Sequence, residues 1–282
     1  MKKFLTAVMA VGLAALLGGC GGNNGNNSES SDTAASSTTA STTVSTTKAE
    51  PVKLNLAAAA SLEYAFQEKL IPMYQKDHPE VTIEGTYDSS GKLQTQIESG
   101  MEADLFFSAA TKQMDALVGE DLIDKDSVTD MLENKVVLIT PTNDPAGLQE
   151  FKDIEKAKTI AIGDPESVPA GQYAKEVLTN LQLWDKLESR FSLGTNVTEV
   201  LNWVAEGSAD AGIVYETDAK TTDKVKVIAE APADSLEKPI IYPAGIVKAS
   251  KNTEATKAFL DFLQTAEASA VFKEYGFTPI AK

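Results

Sequence analysis

From residue 51 onward, short apolar runs take turns with segments whose apolar positions fall three and four apart. Val52, Leu54 and Leu56 alternate and predict a strand, after which Leu62, Phe66, Leu70 and Tyr74 line one face of a helix that Pro79 stops. Val81 to Tyr87 predicts the next strand, a short helix follows from Lys92, and Asp104 to Ser108 predicts a third strand before a helix over Thr111 to Gly119. Val136 to Thr140 is a buried strand with no helical pattern beside it. Further strands are expected near Thr159, Phe191, Ala211 and Val225, and at Ile240 to Val247, with closing helices over Glu254 to Leu263 and Ala266 to Tyr275.

Alternation of this kind marks an α/β fold, and no repeat of fixed period interrupts it. Val136 to Thr140 carries the chain into a second domain and Ile240 to Val247 carries it back. Two α/β lobes are therefore expected, 51–135 plus 246–282 and 136–245, joined by a two-segment hinge with a ligand cleft between them.

The first fifty residues read differently. Lys2 and Lys3 precede an apolar run from Phe4 to Leu17, a secretory signal too short for a membrane span, so residues 1–19 are set aside as a signal peptide. Between Gly21 and Glu50, Gly, Asn, Ser and Thr supply 21 of 30 residues and Val44 is the one large apolar side chain. Such a tract lacks the apolar surface to order itself, so residues 20–50 are expected to form a disordered tether of roughly 30 Å typical span.

Charge narrows the partners. Lys and Arg total 25 against 41 Asp and Glu, a formal charge of −16, which disfavours nucleic acid and acidic membrane surfaces. Cys20 is the lone cysteine and His78 the lone histidine, so an intramolecular disulfide is excluded and a transition-metal cation site is not expected.

In open α/β sheets, ligands gather at the carboxyl ends of strands. Ala57 to Ser61 follows the first strand and Ser89-Ser90-Gly91 the second. Gly163 to Gly171 joins a buried strand to a helix expected over Gln172 to Leu181, and its small residues Ala170 and Gly171 are expected to let backbone N–H groups approach a ligand. Gly194-Thr195-Asn196-Val197 opens another helix, and Tyr215 ends the strand Gly212-Ile213-Val214. Singly, Ser61, Ser90 and Asn196 are ordinary helix caps, and Tyr215 an ordinary core-edge aromatic. Together they put four helix starts and a phenol where neutral donors would meet an oxyanion.

Ala58 to Leu62, Ser89 to Gln96, Ala103-Asp104-Leu105-Phe106-Phe107-Ser108-Ala109, Gly163 to Lys175, Gly212-Ile213-Val214-Tyr215 and the closing Phe272 to Phe277 together resemble the periplasmic molybdate-binding protein family, from about Leu54 to Phe277. The resemblance implies a type II periplasmic binding protein fold and a solute-binding protein, not an enzyme, that delivers molybdate or tungstate to an ABC permease. It puts the oxyanion contacts on the hydroxyls of Ser61, Ser90 and Tyr215 and the backbone N–H groups of Ala170 and Val197. Leu17-Gly18-Gly19-Cys20 likewise resembles the bacterial lipoprotein box, which implies lipid attachment at Cys20 and an extracytoplasmic, membrane-anchored protein. No cofactor is expected, and the chain is expected to act as a monomer. Asp88 departs from the family pattern, since a carboxylate facing the pocket would repel a dianion; its neighbours' pattern turns it away.

Three rival readings compete with this one. In the first, the same fold holds sulfate or phosphate, the latter needing an acceptor for its proton. Ser89-Ser90-Gly91-Lys92 fits the short S-x-x-K pattern of acyl-serine enzymes, although the other motifs of that class are missing. An adhesive surface lipoprotein would need none of the donor-rich strand ends.

Overall fold

The computed structural model describes residues 50–281, so the expected signal peptide, Cys20 and nearly all of the tether lie outside the described residues. In chain order the strands are β1 (Val52–Ala59), β2 (Val81–Asp88), β3 (Leu105–Phe107), β4 (Thr129–Asn134), β5 (Val136–Pro141), β6 (Ile160–Gly163), β7 (Phe191–Gly194), β8 (Ala211–Tyr215), β9 (Val225–Glu230), β10 (Ile240–Ile246) and β11 (Thr278–Pro279). They form two mixed sheets, one ordered β11-β4-β10-β3-β1-β2 and the other β7-β6-β8-β5-β9.

Parallel pairing occupies one end of each sheet. β1 runs parallel to β2 and β3, with Leu56 opposite both Gly85 and Leu105, and β6 runs parallel to β7 and β8. Strands buried on both faces are apolar throughout, which is why β6 and β8 are continuous apolar runs without alternation. Helices cover both faces of the first sheet. Leu93 and Ile97, from the helix Ser90–Glu98, pack with Met114 and Leu117, from Thr111–Gly119, onto Ala57 and Phe106. On the opposite face Phe66 meets Phe107 edge-on at 5.9 Å and Phe272 at 6.1 Å. Each such fully buried ring contributes about 1.5–3 kcal/mol.

Four details differ from the sequence expectation. The helix expected from Gln172 starts at Pro169, whose fixed φ suits a first helical position. The helix after β1 is composite, and its π turn at Phe66–Leu70 lies just before Pro72, which lacks the N–H that a regular α turn would use. β4 was not anticipated at all. Finally, β10 pairs with β3 and β4, so the chain has already returned to the first sheet by Ile240. The bound expected at 245/246 is corrected to the connection 231–239, because strand pairing, not the end of an apolar run, fixes which sheet a segment joins.

Both crossings between the sheets leave from neighbouring strands. Lys135 alone separates β4 from β5, and the return from β9 to β10 runs beside it: Asn134 pairs with Ile240 in one sheet and Val137 with Glu230 in the other.

Candidate oxyanion site

Ser61, Ser90, Ala170 and Val197 follow the carboxyl ends of β1, β2, β6 and β7, and Tyr215 ends β8; with β3 these are the strands that bear parallel pairing. All five are buried, none more than 9% exposed. Local chemistry explains how each arrives there. Ser89 caps the helix Ser90–Glu98 by accepting from the Lys92 N–H at 3.4 Å, and Asn196 caps Val197–Ala205 by accepting from the Glu199 N–H at 2.9 Å. These caps take the third N–H of each helix. The first-turn N–H groups of Ser90, Ala170 and Val197 have no intrahelical acceptor, and the helix dipoles leave them partly positive.

The two halves meet through these residues. Ala109 joins Ser90 to Tyr215: its N–H donates to Ser90 Oγ at 2.9 Å, and its carbonyl accepts a long 3.4 Å bond from Tyr215 Oη. The Gly91 N–H donates to the Ser167 carbonyl at 3.0 Å, which draws the loop before Ala170 against the start of the Ser90 helix. A Cβ on Gly91 would lie 2.4 Å from that carbonyl oxygen, so the approach requires glycine. The start of the Val197 helix packs on the turn Ala60–Leu62 that carries Ser61.

Gly171 has a different reason from the one expected. Its absent Cβ would sit 1.9 Å from the Gly163 carbonyl oxygen, so this glycine lets the helix pack on β6. Ala170 is the residue left to present the N–H.

Asp88 takes three donors on one oxygen. Its Oδ1 accepts from the Ser89 N–H at 2.8 Å, from Lys92 Nζ at 3.3 Å and, across the two halves, from Asn196 Nδ2 at 3.4 Å. His78 ends the helix Ile71–Asp77, stacked on Tyr74 at 4.2 Å with Nδ1 3.6 Å from Glu80, in keeping with a surface cap. Among the described residues no cluster of His, Cys, Asp and Glu fits a metal cation.

Behind the donors lies a polar layer that the sequence did not single out. Tyr242 is fully buried, with Oη 3.0 Å from Ser61 Oγ and 3.1 Å from Asn134 Nδ2. Asn134 also donates to Thr217 Oγ1 at 2.9 Å and accepts from the Lys135 N–H at 2.8 Å. Burial pushes the phenols of Tyr215 and Tyr242 well above the ordinary tyrosine range, so both stay protonated at any physiological pH. Asp218, buried beneath Tyr215 and accepting its N–H at 3.2 Å, is pushed up to about 7 by burial, against the opposing pull of its backbone hydrogen bonds. The one hint of this layer in the sequence is Tyr242-Pro243, since proline within a strand marks an edge or a bulge.

Residues 54–278 match the family described as bacterial extracellular solute-binding protein. The chain belongs to that family. A Bacillus subtilis protein provisionally named an ABC transporter substrate-binding lipoprotein is 45% identical over 83% of this chain and 89% of its own. The molybdate-binding protein ModA of Haemophilus influenzae is 38% identical over 82% of this chain and 91% of its own length. The solved periplasmic molybdate-binding protein of Azotobacter vinelandii superposes with a TM-score of 0.72 at 25% identity, covering 81% of this chain and all of that one. This solute-binding protein is thus homologous to the ModA molybdate-binding proteins and has the type II periplasmic binding protein architecture. Its role is non-catalytic, and an extracytoplasmic location goes with the family.

Proposed function

We propose that this solute-binding protein captures molybdate, and tungstate with it, through the hydroxyls of Ser61, Ser90 and Tyr215 and the N–H groups of Ala170 and Val197. It then delivers the anion to the permease of an ABC transporter, from a lipid anchor at Cys20 that holds a monomeric two-lobed receptor outside the membrane, its second lobe starting at 136 and ending in the connection 231–239. The observation that carries the ligand reading is the polarity of the donors. Ser90 Oγ already accepts from Ala109, which leaves its O–H to donate, and Tyr215, held protonated by burial, has its O–H only in a long 3.4 Å bond to the Ala109 carbonyl, which an anion would replace.

Molybdate near neutral pH is a tetrahedral dianion without a proton, so a cage of donors suits all four of its oxygens. Hydrogen bonds to charged oxygen are roughly twice as strong as neutral ones, and several of them offset the lost hydration. Hydrogen phosphate brings an O–H that needs an acceptor, and Asp88, the carboxylate beside the serines, turns its Oδ1 to three protein donors. Sulfate is smaller, and a cage held by strand ends loses hydrogen bonds if it shrinks. Donors from both halves reach one anion together only when the halves close on each other, so ligand shifts the population toward the form a permease would recognise.

Thermal unfolding of residues 51–282 with molybdate, tungstate, sulfate and phosphate in turn tests this reading. At a thousand times its Kd a ligand stabilises by about 4.1 kcal/mol, a midpoint rise of roughly 8–16 °C for a domain this size. A rise with molybdate and tungstate alone is expected. A rise with sulfate or phosphate instead would replace the ligand and keep the fold.

A further inference from the structure

Tyr242 stands where β10 departs from regular pairing. Tyr242 faces Leu132 of β4, but Pro243 faces Asp130, so Met131 is passed over and β4 bulges opposite the Tyr242–Pro243 step. Pro243 has no N–H to give the ladder. The Tyr242 ring beside it is wholly buried, 5.5 Å from the ring of Tyr215, and its hydroxyl lies between Asn134 and Ser61.

The direction of the hydrogen bonds along this row is determined at one end. The Lys135 N–H can only donate, so it fixes Asn134 Oδ1 as the acceptor at 2.8 Å. That orients Asn134 Nδ2 toward Thr217 Oγ1 and Tyr242 Oη, and an amide NH₂ can only donate. Tyr242 Oη therefore accepts from Asn134, and its own proton needs a different partner. The acceptor within hydrogen-bond distance among the described residues is Ser61 Oγ, at 3.0 Å. Ser61 accepts from Tyr242 in turn, and its O–H is left to donate elsewhere. Ser90 arrives at the same polarity by a shorter route, through the Ala109 N–H.

We propose that Asn134 and Tyr242 are positioning residues that order the proton of Ser61, biasing it toward donation and so setting the preference for a fully deprotonated oxyanion over one that carries a proton. This rests on the reading of Ser61 as a ligand contact. A free serine hydroxyl rotates and offers two lone pairs to a protonated anion; one that already accepts from Tyr242 keeps a single lone pair, and its O–H points to the anion. The relay also adds its own polarisation, since a hydroxyl that accepts one hydrogen bond donates a stronger one.

The test is a double-mutant cycle by calorimetry at pH 8, with molybdate, sulfate and hydrogen phosphate as probes. Tyr242→Phe is expected to weaken molybdate binding about tenfold, the low end for a hydrogen bond to a charge, and to narrow the molybdate-to-phosphate ratio. In a Ser61→Ala background the same substitution should change molybdate affinity by less than about twofold, because the group it acts through is gone. An equal loss for molybdate and phosphate, or an undiminished effect with Ser61 absent, overturns the relay. If Tyr242→Phe lowers the unfolding midpoint too far for titration, Asn134→Ala removes the donor that fixes the polarity of Tyr242 and enters the same cycle. Wild-type binding of sulfate and not molybdate would sink the molybdate reading while the cycle, run with sulfate, still decides the relay. Wild-type preference for hydrogen phosphate would overturn both.

Discussion

On the first-sheet side of the proposed site the donors would be side chains, Ser61 and Ser90, whose oxygens already lie within hydrogen-bond distance of Tyr242 Oη and the Ala109 N–H. On the second-sheet side two of the three are main-chain N–H groups at the starts of Pro169–Asn180 and Val197–Ala205, and the third is the phenol of Tyr215. The two sides reach the same chemistry with different vulnerabilities. A hydroxyl has to be oriented by neighbours and is lost with one substitution. A helix-start N–H is oriented by the helix and survives most substitutions, because every residue except proline supplies it. The sides also differ beneath the donors: neutral Asn134 and Tyr242 lie under Ser61, whereas the acid Asp218 lies under Tyr215.

That last difference gives the largest expected effect. Folding raises Asp218 from near 3.8 to about 7, so the folded chain holds this proton more tightly than the unfolded one. Its contribution to stability is present in full below the unfolded value and is lost as pH rises through about 7, with a ceiling of the order of 4 kcal/mol. Asp218→Asn keeps an oxygen for the Tyr215 N–H and removes the titration. Denaturant unfolding of both proteins between pH 4 and 8 should show the variant gaining on the parent up to about pH 7 and levelling off above it. A constant difference across that range would mean that Asp218 is not buried as a lone acid.

Val197→Pro breaks the second-sheet side without breaking its helix. Position 197 is the first of its helix, where proline is tolerated, and Asn196 before it is already extended at φ −156° and ψ 172°, as a residue preceding proline must be. The substitution deletes the N–H and puts a ring carbon where an anion oxygen would sit. Molybdate affinity should fall by about 3 kcal/mol, the upper end for one charge-assisted bond because the ring also crowds the anion, while the ligand-free unfolding midpoint moves by only a few degrees. Unchanged affinity would remove this helix start from the site.

How much of this was readable from the chain follows the same division. The parallel strands were legible because burial on both faces makes them apolar runs, as in Ile160-Ala161-Ile162, and the helix starts at their ends followed from that. β4 was not legible: Thr129–Asn134 has only Met131 and Leu132 as apolar residues, and its pairing with β10 and β11 comes from distant sequence. The start at Pro169 was hidden because proline and glycine resemble loop residues when the strand they pack on is not in view. The layer behind the donors was hidden most completely. Asn134 and Tyr242 meet across 108 positions of sequence, and neither stands in a local pattern that distinguishes it from a core residue.

Ser90→Ala tests the first-sheet side and should differ in kind from Val197→Pro, not only in size. Removing the hydroxyl takes away one donor to the anion, about 1.5–3 kcal/mol of affinity. It also removes the acceptor for the Ala109 N–H, which lies buried between Ser90 and Tyr215. That orphaned donor costs the fold about 1–3 kcal/mol even without ligand. Calorimetry and unfolding in parallel should therefore find both quantities reduced together, where Val197→Pro reduces one alone. A loss of affinity at unchanged stability would mean that the Ala109 N–H finds another partner, and that the orientation of Ser90 does not come from it.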